Sequence, residues 1–204
     1  MDQQDQQQVD WKAYKEEAER MLREEGWIPI FEKFCPELEK IILSLIFQAR
    51  SKKKEHIVLL INSNGGSISS LVAIKAAIKI AGLKTVGIVL GQAKSAAFQL
   101  LQQCDVRYAV HGSSLMPHWG SCSFGNNELA AIMAGDMWPI DHQRSLRNLL
   151  FNDALIKTGV DKDNLQTIYN TDRVFTSAEA LALNFIDKVI DEFNQDTLNP
   201  FKKN

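Results

Sequence analysis

Residues 56–61 read HIVLLI, and the turn NSNGGS follows at once. A short, nearly unbroken apolar run has no polar face to offer water, which suits a strand buried on both sides. Such strands belong to parallel sheets, whose crossovers pass through helices. The pattern recurs. Residues 68–81 carry Leu71, Ile74, Ile78 and Ala81 at helical spacing, with Gly82 as a stop. Residues 85–90 (TVGIVL) form a second buried run, 91–94 a tight turn and 95–103 a helix. Strands are expected at 106–110 and, very short, at 115–118. The repetition predicts an α/β chain with a mostly parallel sheet and right-handed crossovers.

The flanks read differently. Residues 1–9 are Gln/Asp-rich, a composition that predicts disorder, and 10–25 predict an amphipathic helix ended by Gly26. A short extended piece at 27–30 ends in the Pro29 region, and a helix spans 36–50. After residue 125 two helical segments are expected, 126–137 and 141–158, separated by Pro139. A short helix follows at 164–170. Thr176 and Glu179 have capping-box spacing for a helix over 177–183, before a last strand at 185–190 and a polar tail at 193–204.

Composition narrows the function classes. With 23 Lys+Arg against 25 Asp+Glu, the net charge is −2, so no basic excess points to nucleic acid or an anionic membrane. Cys35, Cys104 and Cys122 are widely spaced and form no CxxC pair, so neither a zinc knuckle nor a disulfide framework is indicated. The start lacks a basic and an apolar region, and no apolar stretch approaches the ~20 residues that span a bilayer. A cytoplasmic protein is expected.

Two strand-to-helix turns hold the candidate chemistry, at the carboxyl ends of strands where open α/β sheets bind ligands. Gly65-Gly66 permits unusual backbone angles and close approach, so that its amides can face a carbonyl oxygen; a plain turn is the simpler reading. Ser95 in GQAKSAA sits at a sharp turn from a strand into a helix, which exposes its hydroxyl beside unpaired N–H groups. A helix cap is the simpler reading there. A serine needs a base, and His118 lies at the same strand-end level; Asp172, in a loop before a capped helix, is a candidate to orient it.

In order, INSNGG, GQAKSAA, SSLMPHWG and TDRVFTSAEALALNFID resemble four signature segments of the Clp protease proteolytic subunit, the ClpP-type serine peptidases. The resemblance runs from about His56 to Ile190. It implies a ClpP/crotonase-like spiral of ββα units with a protruding handle helix, here about 127–158, within a peptidase domain at 27–192. Residues 1–26 then form a divergent tail and helix. The family's nucleophile falls on Ser95, its base on His118, its orienting acid on Asp172 and its oxyanion-hole amides on Gly66 and Ala96. The implied protein is a serine endopeptidase acting on polypeptides without metal or organic cofactor. It assembles as a homo-oligomer of heptameric rings, up to a tetradecamer, fed by an unfoldase ATPase of the Hsp100 class. An ATPase-independent phage-type or signal-peptide-peptidase-like enzyme, a non-catalytic ring subunit and an acyl-CoA enzyme of the crotonase group are the alternatives. The chain departs from the family pattern at Asn64 (for proline), Lys94, Ala96-Ala97 (for Met-Gly) and Trp119-Gly120 (for Gln-Pro).

Overall fold

The computed structural model describes residues 9–121 and 123–202; the Gln-rich start (1–8), whose disorder the composition predicts, lies outside them, as do Cys122 and residues 203–204. Helix α1 (Trp11–Glu24) leads into strand β1 (Trp27–Ile30), helix α2 (Pro36–Ser51), strand β2 (His56–Ser63) and helix α3 (Ile68–Ala81). Strand β3 (Lys84–Lys94) and helix α4 (Ala96–Gln102) follow, then strands β4 (Val106–Val110) and β5 (Ser114–Met116). Next come helices α5 (Asn126–Met133), α6 (Trp138–Thr158) and α7 (Lys162–Tyr169). Strand β6 (Phe175–Thr176), helix α8 (Ser177–Ala182), strand β7 (Lys188–Ile190) and helix α9 (Gln195–Leu198) complete the order.

The main sheet runs β1-β2-β3-β4-β7, every neighbouring pair parallel. The apolar run in β2 does what its pattern predicts. Ile57, Leu59 and Ile61 point into the larger core with helices α2, α3 and α4, whereas Val58 and Leu60 join a smaller cluster on the opposite face. Each such side chain removed from water contributes roughly 1.5–3 kcal/mol. The second face is closed by Met21, Trp27, Leu198 and Phe201. Where composition predicts a polar tail, residues 194–201 therefore pack: Asn194 caps α9, and Leu198 and Phe201 supply the apolar contacts. Ala18 and Leu22 of α1 are fully buried in the larger core.

Strand β3 departs most from expectation. The anticipated turn at 91–94 is strand, because the second half of β3 finds its own partner. Val86, Gly87, Ile88 and Val89 pair with β4, but Gln92, Ala93 and Lys94 pair with β5. Strand β5 in turn takes the two-residue β6 antiparallel, a strand with no readable apolar pattern. The sheet thus splits at its carboxyl end, and β5 is short, Ser114–Met116, leaving His118 in the loop beyond it.

Prolines are placed by their missing N–H. Pro29 lies within β1 instead of ending it; this is an edge strand, and the Pro29 carbonyl accepts the Tyr14 hydroxyl at 2.7 Å. Pro139 does not separate helices but lies in the first turn of α6, where a helix needs no donor. Helices α5 and α6 form the projecting arm. No residue of α5 is buried, and α6 is anchored to the core at its far end through Leu150, Phe151 and Ala154.

Candidate active site

The two strand-to-helix turns touch. Gly65 has φ of +89°, and a Cβ there would stand 2.5 Å from the Lys94 carbonyl oxygen, 2.7 Å from the Ala96 nitrogen and 2.8 Å from Ser95 Cβ. Only a glycine lets the turns pack this closely. The turn is held from behind by residues that carry no motif. Phe34 N–H donates to the Gly65 carbonyl at 2.9 Å, and Ser67 N–H donates to the Phe34 carbonyl at 2.9 Å. Ser63, buried, donates its hydroxyl to the Glu32 carbonyl at 2.7 Å and accepts the Gly65 N–H at 3.1 Å. Because Phe34 pairs with the groups flanking Gly66, the N–H of Gly66 itself points away from that segment.

Ser95 caps α4 with φ 53° and ψ −122°, a conformation that costs a non-glycine residue on the order of 1–3 kcal/mol. Its N–H is fixed on the Met116 carbonyl at 2.9 Å, and its carbonyl accepts the Gln99 N–H at 3.1 Å. Its hydroxyl makes no capping bond. Ala96 opens the helix, so its N–H has no intrahelical acceptor.

His118 and Asp172 stand 54 residues apart in sequence but meet: Nδ1 and Oδ1 are 2.9 Å apart. The pairing assigns the proton to Nδ1 and leaves a lone pair on Nε2. That nitrogen is buried and has no hydrogen-bond partner among the described residues, so no bond joins it to Ser95 Oγ in this conformation. The Asp172 side chain is 81% exposed. The loop after it is tied to α8 by Arg173, which pairs with Glu179 at 2.5 Å and covers the Phe175 ring. Thr176 and Glu179 form the expected capping box, which holds the Glu179 carboxyl below its ordinary pKa through hydrogen bonds from Thr176, with Arg173 adding to the effect.

Gly66, Ser95, Ala96 and His118 all line one groove of about 1110 Å³ between the sheet edge and α6. Its inner wall includes Gln99, whose Nε2 donates to the Tyr169 hydroxyl at 2.7 Å. Burial pushes the Tyr169 phenol upward in pKa, and the hydrogen bond with Gln99 opposes that shift. Cys104 is no rival nucleophile: burial pushes its thiol up to about 12. Among the described residues no group of three or more His, Cys, Asp or Glu side chains is placed to hold a metal ion. Nor, among them, is any helix long and apolar enough to cross a membrane.

The family model for Clp protease matches residues 15–193. The chain belongs to the Clp protease family. Its α/β architecture is the Clp protease fold. Among similar proteins is the ATP-dependent Clp protease proteolytic subunit 2 of Nocardia farcinica, 29% identical over 159 residues, 76% of this chain and 75% of that one. The corresponding subunit 2 of Thermobifida fusca is 26% identical over 181 residues, covering 87% and 86% of the two chains. Proteolytic subunit 1 of Borreliella burgdorferi is 29% identical over 175 residues, covering 84% and 87%. Within the Clp protease family the features that sequence reasoning missed here are Phe34 and Ser63, which brace the glycine turn, and the Trp119–Asn170 contact beside the histidine. None has a local signal, since each partner comes from a distant part of the chain.

Proposed function

We propose that the chain is a serine endopeptidase working through Ser95, His118 and Asp172. The observation that carries this reading is the His118–Asp172 bond, which leaves Nε2 as a base in the groove where the strained Ser95 turn presents its hydroxyl. Nε2 takes the Ser95 proton as Oγ attacks a peptide carbonyl. The tetrahedral oxyanion is met by the N–H groups of Gly66 and Ala96, neither of which is used by the local hydrogen bonds that hold the two turns. A donor of this kind is worth roughly 2.7–4 kcal/mol in the transition state. Imidazolium then protonates the leaving amine, and water releases the acyl group by the reverse sequence. The chemistry needs no metal or organic cofactor.

The resting conformation leaves one step for substrate or assembly: closing Ser95 Oγ onto Nε2, since catalytic hydrogen bonds often tighten only in the complex. The physiological form is a homo-oligomer of rings, supported by an arm that exposes Met133 at 89% and Ile156 at 83%. Polypeptide is delivered by an Hsp100-class unfoldase ATPase, a partner suggested by relatives named as ATP-dependent.

A fluorophosphonate probe tests the reading. The parent chain becomes labelled, Ser95→Ala does not, and His118→Ala loses more than about 1000-fold in labelling rate. Equal labelling of parent and Ser95→Ala removes Ser95 from the mechanism. Activity that survives His118→Ala assigns the base elsewhere.

A further inference from the structure

The carboxylate of Asp172 is poorly held by its own surroundings. It is 81% exposed, and its one hydrogen bond among the described residues is to His118. An exposed side chain on a loop keeps its rotamer freedom unless the backbone on both sides of the contact is fixed. The fixing elements are next door. The Trp119 indole N–H donates to Asn170 Oδ1 at 2.8 Å, and the Trp119 backbone N–H donates to the Tyr169 carbonyl at 3.3 Å. The segment carrying His118 is thereby bonded twice to the segment that carries Asp172.

The indole ring continues the connection. It stacks on Phe151 with centroids 4.9 Å apart at 28°, and meets the Tyr169 ring edge-on at 5.3 Å. Phe151 is buried and belongs to the root of α6. Tyr169 accepts from Gln99, one helical turn beyond Ser95. One aromatic cluster therefore includes Trp119, next to His118, and Tyr169, three residues before Asp172, and through Gln99 reaches the helix that Ser95 caps.

We propose that Trp119 is a positioning residue, whose bond to Asn170 and stack on Phe151 register the His118 imidazole against the Asp172 carboxylate and tie that register to the arm helix. The inference rests on the serine-peptidase reading for its kinetic consequence but not for its structural one. It gives a role to a residue at which this chain departs from the family pattern.

Trp119→Phe keeps an aromatic ring and removes the indole N–H; Asn170→Ala removes the acceptor from a surface position. Each lowers kcat on a short fluorogenic peptide about tenfold with KM unchanged, the size expected for one hydrogen bond acting on geometry. The double variant is no slower than the slower single one, because both break the same link. In proton NMR the downfield Nδ1 proton of His118 broadens or vanishes in either variant. Unchanged kcat in a folded Trp119→Phe, a rise in KM in place of the fall in kcat, or effects that multiply in the double variant each overturn the proposal. If the parent chain proves inactive and unlabelled at Ser95, the peptidase reading fails by itself. The NMR signal then decides alone, and its persistence in both variants refutes the positioning role.

Discussion

The glycine turn at 63–67 and helix α5 meet opposite surroundings. In the turn the inner side is occupied: a methyl group at Gly65 runs into the Lys94 carbonyl, and Phe34 and Ser63 take the backbone groups behind it. On α5 no residue is buried, and Met133 is 89% exposed. The chain closes the first region with its own atoms. The second is apolar surface without a cover among the described residues. The lesson concerns where each region's geometry is decided: at the sheet edge by intrachain packing, and on the arm not by packing among the described residues.

That contrast can be broken most forcefully at Gly65. Gly65→Ala combines a positive φ with an overlap against main-chain atoms, so the fold should lose roughly 3 kcal/mol or more. Urea denaturation reads this, and a loss below about 1 kcal/mol means that the turn is not as tightly closed as described. Next is the root of the arm. Leu150 is 4% exposed, and Leu150→Ala should cost about 2–4 kcal/mol in the same measurement. A much smaller loss would place the root with the free arm and not with the core.

Asp105 tests a weaker tie close to the same root: its main-chain carbonyl accepts the Lys157 ammonium at 3.0 Å, and its carboxylate, the group tested here, accepts from Thr85 and Lys84 at the start of β3. Burial pushes its carboxyl upward in pKa, but hydrogen bonds from Thr85 and the Lys84 ammonium outweigh that and hold it below the ordinary value. The stability it gives is therefore present above the unfolded carboxylate range and is lost as pH falls through the folded value. Asp105→Asn should lower the melting temperature at neutral pH and remove part of the acid dependence, a small effect because the pair is partly solvated. The smallest effect on the single chain is expected on the arm surface. Met133→Glu with Ile156→Glu should change unfolding free energy by no more than about 0.5 kcal/mol per site, while sedimentation shows a smaller assembly. A large loss of stability with unchanged mass would reverse the contrast.

Much of the local structure was legible from the residues. Helix α3 has the bounds its periodicity predicts, and Gly82 takes the left-handed cap expected of it. The Thr176–Glu179 box forms with both of its bonds. These are short-range features, in which side chain and backbone partner lie within four residues. Legibility failed where the partner is remote. The end of β3 looks like a turn because glycine and lysine interrupt its apolar run, and only β5 makes it strand. Pro139 reads as a break, but the first turn of a helix accepts it. The segment at 194–201 reads as polar because its few apolar residues matter only against a sheet face built much earlier in the chain.

The alternation of strand and helix from β2 to α4 was settled by the sequence alone, together with the chemical groups at its turns, because apolar period and glycine act over a few residues. Whether Asp172 reaches His118, and whether Gly65 lies against Ser95, was settled by the tertiary structure. Those contacts depend on how the split sheet edge and the arm root pack, and packing geometry between distant segments leaves no mark in local spacing.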